Sequence, residues 1–229
     1  MKTFVIGDIH GSYKALLQCF ERSAFNYNED RLIVLGDICD GCPQVNCCID
    51  ELLKIKDCHC IIGNHDLWAL KWATSGWKEN TWLGQGGRAT IESYGGGTMP
   101  QAHVDFLKAA SFWFEYENRI FVHGGFDPQK PISLQDKEVF VWDRTLIAQA
   151  QQVNSVNPDY QFSEYKEIYI GHTPTTNLGS TKPLKLCNVW DMDTAAGWGG
   201  KLSIMDVETK EYWQSDLTSE LYPNGEIRR

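Results

Sequence analysis

An α/β fold is predicted for this chain by two observations. Over its first third, short apolar runs alternate with amphipathic stretches of helical period. Along the whole chain, five apolar runs lead into glycine-flanked fragments that carry Asp, Asn or His: Gly7-Asp8-Ile9-His10-Gly11, Gly36-Asp37-Ile38-Cys39-Asp40, Gly63-Asn64-His65-Asp66, His123-Gly124-Gly125 and Gly171-His172-Thr173. Short apolar runs bounded by turn residues read as buried strands. Strands separated by helices read as parallel strands with right-handed crossovers. Five strands would then end in a potential metal ligand, at turns where glycine lets the backbone bend sharply.

The elements follow in order. Phe4-Val5-Ile6 marks a strand over 2–7, and a helix from about 12 to 24 carries Leu16, Leu17 and Phe20 at core spacing. Leu32-Ile33-Val34-Leu35 marks a strand over 31–36. A helix over 43–56 has Pro43 in its first turn, with Val45, Cys48, Ile49, Leu52 and Leu53 repeating on one face. Cys60-Ile61-Ile62 places a third strand at 60–63, which completes a βαβαβ unit. Residues 66–118 break this rhythm with Trp68, Trp72, Trp77, Trp82, Trp113 and the glycines at 84, 86, 87 and 95–97. Helices are expected at 66–74 and, after Pro100, at 100–110. Trp68 and Trp72, four residues apart, read as helix packing in preference to ligand contact. As a whole the segment reads as an insertion able to cover a site. Strands resume at 119–123, 167–171, 186–192, 201–207 and 211–214, the last two as a hairpin, and 145–165 reads as a short helix followed by a loop. No repeat or linker divides residues 1–229, so one domain is expected.

Composition narrows the function. At 229 residues, with 42% hydrophobic and 22% charged side chains, the chain can bury one substantial core. A net charge of −9 without a run of Lys or Arg argues against nucleic acid as the main partner. No stretch reaches the length of a membrane span. A strand begins almost at the first residue, with no apolar signal region, so a cytoplasmic location is expected. The eight cysteines then read as free thiols. Cys58, His59 and Cys60 lack the spacing of a structural zinc site. Cys39 lies inside a ligand fragment, where an oxidant could reach the site through it.

Each fragment alone is weak evidence, but four of the six histidines, His10, His65, His123 and His172, fall within them at strand-to-loop transitions. That concentration is what a metal centre requires. Two ions about 3.5–4 Å apart suit attack of water on phosphorus, because entering and leaving oxygens both need charge stabilisation. Asp8, His10 and Asp37 could hold one ion, and Asn64, His123 and His172 the other, with Asp37 spanning both. Mixed oxygen and nitrogen ligation suits Mn, Fe or Zn better than Mg or Ca. A hydroxide between the ions is the expected nucleophile. His65, next to Asn64, diverges from the ligands and can face the substrate. Asp40 could orient its ring so that an imidazolium protonates the leaving oxygen. A purely structural Asp40–His65 ion pair is the plain alternative.

The ordered fragments resemble the calcineurin-like metallophosphoesterase superfamily over residues 4 to about 206. Gly86-Gly87-Arg88-Ala89-Thr90-Ile91-Glu92-Ser93-Tyr94-Gly95, together with Asp193-Thr194-Ala195 and Gly199-Gly200-Lys201-Leu202, is similar to the bacterial and phage branch of serine/threonine phosphoprotein phosphatases. The resemblance implies two mixed β-sheets packed as a sandwich and flanked by helices. It implies a dinuclear enzyme, Mn²⁺ first among the ions, that hydrolyses phosphomonoesters, with phosphoserine and phosphothreonine in proteins as substrates. One departure stands out. Family members usually carry Arg in the pattern Gly-Asp-x-x-Asp-Arg-Gly, whereas Asp40 is followed here by Gly41. Arg144, in Val141-Trp142-Asp143-Arg144, is the candidate for the second phosphate-gripping arginine, with Asn64 beside it. Arg88 reads as a solvated surface residue, with compensation for the missing Arg as the alternative. Symmetrical hydrolysis of dinucleoside tetraphosphates is the rival activity, since Gly171-His172-Thr173-Pro174 fits it equally well. A non-catalytic metal-binding scaffold is a third reading, which retention of Asp40 and His65 disfavours.

Overall fold

The computed structural model describes residues 1–223 and Ile227. Two mixed five-stranded sheets pack face to face with helices on their outer sides. Strand β1 (Thr3–Ile6), helix α1 (Tyr13–Arg22), β2 (Arg31–Val34), α2 (Val45–Leu52) and β3 (Asp57–Cys60) form the expected βαβαβ unit, with β1, β2 and β3 parallel. After it come the helices α3 (Asn64–Ser75), α4 (Asn80–Trp82), α5 (Arg88–Ser93) and α6 (Gln101–Ala109). The second sheet contains β4 (Trp113–Tyr116), β5 (Arg119–Val122), β6 (Glu167–Ile170), β7 (Leu184–Leu186) and β8 (Val189–Asp191), with α7 (Lys137–Trp142) and α8 (Thr145–Asn154) between β5 and β6. The hairpin β9 (Ser203–Asp206) and β10 (Tyr212–Gln214) returns to the first sheet, and α9 (Thr218–Leu221) follows. Strand order is β10-β9-β1-β2-β3 in one sheet and β4-β5-β6-β8-β7 in the other.

The period of two along each strand divides the core. Val5, Ile33, Phe121, Tyr169 and Met205 point between the sheets, where the Phe121 and Tyr169 rings stack at 4.8 Å. Phe4, Ile6, Leu32 and Val34 point the other way, under α1 and α2. Ile120, Val122, Ile168 and Ile170 face α7 and α8. Within α1, Leu16 and Phe20 are buried as expected, but Leu17 is exposed on the opposite flank, as is Leu53 after α2.

Several boundaries differ from the sequence expectation. The third strand is set back to Asp57–Cys60, and Ile61 makes only an isolated bridge to Ser111. The expected strand 186–192 is a hairpin, with Cys187 in left-handed backbone between β7 and β8. Cys58 and Cys60 turn to the helical side of their sheet with their sulfurs 3.8 Å apart, while His59 pairs with Asp57 and stacks on Phe114. The three therefore do not converge on one ion. Segment 66–118 is packed into the body of the fold. Its helices pack on the layer outside the first sheet, burying Trp72, Trp82, Met99, Val104 and Leu107, and its last part is β4 of the second sheet. No helix among the described residues is long and apolar enough to cross a membrane.

Candidate active site

The carboxyl ends of the parallel strands in both sheets meet at one edge of the sandwich, where α/β folds place ligands. Asp8 follows β1, Asp37 follows β2, His123 follows β5, His172 follows β6 and Asp193 follows β8. Asn64 and His65 open α3 just beyond β3. All seven are buried. His10, Asp37, Asp40 and His172 have positive φ, a conformation that costs non-glycine residues of order 1–3 kcal/mol and collects at functional sites.

Asp37 is the centre of this group. Its Oδ2 lies 3.6 Å from His10 Nε2 and 3.4 Å from His123 Nε2, and its Oδ1 accepts from the His65 backbone N–H at 2.9 Å. Each flanking histidine is oriented from behind. His10 Nδ1 donates to the Cys39 carbonyl at 3.0 Å, and His123 Nδ1 donates to the Leu35 carbonyl at 2.8 Å. With Nδ1 carrying the hydrogen, the Nε2 lone pairs face Asp37. Metal-ligating histidines are fixed in this same way, through the ring nitrogen away from the ion.

Three observations test whether divalent ions fit. His123 Nε2 lies 3.1 Å from Asn64 Oδ1, so two acceptors face each other unless a cation or a proton stands between them. His172 Nε2 is buried with no hydrogen-bond partner, and burial, followed by the charge of His123, lowers that imidazole to about 3, which keeps its lone pair free. Finally, Asp37, His123 and His172 form one group able to share an ion, and His10, Asp37 and His65 form another. The residues fit.

Most of the expected site residues are brought together here. Asp8 stands outside both groups; its two carboxylate oxygens accept from the His172 backbone N–H at 3.1 and 3.2 Å. Asn64 lies on the His123 side, its Oδ1 3.1 Å from His123 Nε2, and His65 adds itself to the His10 side. The Asp40 carboxylate accepts from His65 Nδ1 at 2.7 Å, which leaves the other ring nitrogen for a cavity of about 670 Å³. That cavity is also lined by Gln85, Trp142, Arg144, Asn177, Asp193 and Trp198. Arg144 Nη1 donates to Thr173 Oγ1 at 2.9 Å. Trp68 packs its ring against both His65 and Trp142, so it is closer to the site than helix packing alone implies.

One possibility closes and one expectation holds. Cys39 is completely buried, so solvent-borne oxidants do not reach the site through it, and burial together with Asp66 raises its thiol well above the usual range. Arg88 is exposed, as expected of a solvated surface residue, and is not among the residues lining the cavity, which disfavours the alternative that it compensates for the missing arginine. The backbone favours glycine at position 41: φ is +86°, and a Cβ would lie 3.1 Å from His10 Cβ and 3.2 Å from its carbonyl oxygen, so any side chain there is strained.

Sequence reasoning also missed several partners. Asp66 accepts from the backbone N–H groups of Ile38 and Cys39 at 2.9 Å and of Gly63 at 3.1 Å, which pins two ligand loops together. Trp82 and Thr90 hydrogen-bond Asp40 from the helical segment. Asp193 lines the cavity from the end of β8, a strand end the sequence marked only by similarity.

The electrostatics give a pH prediction. Burial, then Asp193 and Asp37, push the Asp8 carboxyl well above its ordinary 3.8. An acid shifted upward contributes stability below its ordinary value and loses that contribution as pH rises and it is forced to ionise. A neighbouring cation removes the cost. Burial lowers His123, but Asp37 outweighs it and raises the ring, so protons compete with a cation at low pH. The rise in Tm produced by Mn²⁺ over chelator-treated protein is therefore expected to grow from about pH 5 to about pH 8. A rise in Tm that shrinks over this range would count against buried carboxylates and His123 facing the ions.

Comparison with known proteins agrees with this geometry. Residues 1–194 match the calcineurin-like phosphoesterase family. Serine/threonine-protein phosphatase 1 of Salmonella typhimurium (strain LT2) is 24% identical, over 90% of this chain and 91% of that protein. The symmetrical bis(5'-nucleosyl)-tetraphosphatase of Pseudomonas fluorescens (strain SBW25) is 22% identical, over 96% of each. A crystal structure provisionally assigned as a diadenosine tetraphosphatase superposes with a TM-score of 0.71 at 15% identity, covering 93% of this chain and 92% of the other. The chain belongs to the calcineurin-like phosphoesterase family and is a metal-dependent phosphoester hydrolase.

Proposed function

We propose that this site hydrolyses phosphomonoesters, with phosphoserine and phosphothreonine in proteins as its substrates. The observation that carries the reading is Asp37, whose Oδ2 faces the Nε2 atoms of His10 and His123 while His65, hydrogen-bonded to Asp40, lines the adjoining cavity. Similarity along almost the full length of a serine/threonine-protein phosphatase supports the choice of substrate.

Asp8, His10 and Asp37 are assigned to one ion, and Asn64, His123 and His172 with Asp37 to the other. Mn²⁺ is favoured for both, with Fe or Zn as alternatives, because the donor set mixes carboxylate, amide and imidazole. When bound, such ions supply positive charge to the phosphoryl oxygens and lower the pKa of an attacking water toward neutrality. The protein does the rest. Arg144, at the cavity wall, has guanidinium N–H groups beyond the one bonded to Thr173 with which to grip a phosphate, and Asn64 adds its amide. His65 delivers a proton to the departing alkoxide, and Asp40 keeps its Nδ1 hydrogen in place so that Nε2 faces the leaving group.

A second reading, symmetrical cleavage of dinucleoside tetraphosphates, is favoured by the half-exposed rings of Trp142 and Trp198 at the cavity, on which a nucleobase could stack. A panel with Mn²⁺ separates the two. Cleavage of p-nitrophenyl phosphate and of phosphoserine peptides at a kcat/KM above that for diadenosine tetraphosphate is expected. A large preference for the dinucleotide would overturn the phosphoprotein assignment.

A further inference from the structure

Asp40 is completely buried, and its two carboxylate oxygens and its backbone N–H are engaged by two residues of the helical segment and by His65. Its Oδ2 accepts from His65 Nδ1 at 2.7 Å and from the Trp82 indole N–H at 2.8 Å. Its Oδ1 accepts from Thr90 Oγ1 at 2.6 Å, and the same hydroxyl accepts from the Asp40 backbone N–H at 2.9 Å. A carboxylate held by one donor can swing about its Cβ–Cγ bond. Donors on both oxygens, coming from different directions, fix its plane and so fix where the imidazole hydrogen must point.

The donors are themselves immobilised. Trp82 is 0% exposed, stacked on Trp77 at 5.7 Å and tilted against Trp72 at 6.2 Å. Gly87 lies against its indole so closely that a Cβ would fall 2.4 Å from a ring carbon. Thr90 is 0% exposed on α5, and the Gly41 N–H donates to the Gly86 carbonyl at 3.3 Å, tying the catalytic loop to this segment. A buried indole N–H ordinarily finds some acceptor, so Trp82 alone would read as core packing that happens to satisfy itself. Thr90 changes that reading: its hydroxyl closes a two-way contact with the side chain and backbone of the same aspartate.

We propose that Trp82 and Thr90 are positioning residues that act through Asp40 to hold His65 in its proton-donating orientation, and that this is the task of segment 76–97 in the reaction. The inference rests on the reading of His65 as proton donor. It differs from a lid, because the segment works from behind the catalytic pair.

The test uses leaving groups of unequal need. An alkoxide leaving from phosphoserine requires protonation; p-nitrophenolate leaves with little help. Thr90→Val and Trp82→Phe keep shape and remove one donor each, Thr90→Ser restores the hydroxyl, and His65→Asn serves as reference. Each is matched to the wild type for Mn content. Thr90→Val and Trp82→Phe are expected to lower kcat on a phosphoserine peptide about ten times more than on p-nitrophenyl phosphate, part of the about 10²–10⁴-fold that a general acid supplies. Thr90→Ser is expected to recover most of the loss. In metal-free, ¹⁵N-labelled protein, the His65 ring N–H signal should vanish in Thr90→Val and persist in Thr90→Ser. If His65→Asn itself slows both substrates equally, the donor reading fails. If His65→Asn slows them unequally while Thr90→Val and Trp82→Phe slow them equally and keep the ring signal, the positioning role is overturned and the two residues are only core.

Discussion

Replacing Asp37 with Ala is expected to reduce phosphatase turnover by more than about 10³-fold, beyond the loss from deleting a single electrostatic contact. The reason is geometric. Oδ2 faces both His10 and His123, which places a single carboxylate oxygen where two ions could share it. Burial alone would push this carboxyl upward; His123, His65 and His10 outweigh burial and hold it well below the usual range. A chain without Asp37 therefore leaves the buried His10 and His123 imidazoles without the carboxylate oxygen that faces them. Asn64→Ala is expected to abolish turnover as well, through loss of the amide that faces His123. Steady-state assays with saturating Mn²⁺ check both, and turnover of Asp37→Ala within tenfold of wild type would be incompatible with a shared ligand.

His65→Asn carries the second large effect, and its direction decides between two roles open to the same ring. The imidazole sits with His10 and Asp37 in a group able to bind an ion, yet its Nδ1 is committed to Asp40 and its ring borders the cavity. A carboxylate behind a histidine is found both in acid–base pairs and behind metal ligands. If His65 is the proton donor, His65→Asn cuts kcat about 10²–10⁴-fold and leaves the metal content intact. Unchanged turnover removes the donor assignment. Loss of one ion along with turnover makes His65 a ligand, in the place assigned to Asp8.

How much of this was legible in the sequence depends on how far each signal had to travel. Asp8, His10, Asp37, His123 and His172 could be read because each sits within a few residues of an apolar run and beside a glycine, so strand, turn and ligand form one local pattern. Trp82 and Thr90 reach Asp40 across 42 and 50 residues, from a stretch without helical or strand periodicity, and no local pattern announces such a contact. The second sheet was harder to read at its edge. Glu117 and Asn118 both take positive φ between β4 and β5, a two-residue turn usually marked by Asn-Gly, and the Glu-Asn pair hid the hairpin. Cys187 hid the β7–β8 turn in the same manner. Gly41 shows the reverse case: the missing arginine was plain in the sequence, and the structure adds a left-handed backbone packed on His10 that favours glycine there.

Sharing of Asp37 by two ions is tested directly by metal analysis of purified protein equilibrated with Mn²⁺. Two ions per chain are predicted for the wild type and fewer than one for Asp37→Ala. One ion in the wild type, or two retained without Asp37, would contradict the shared site.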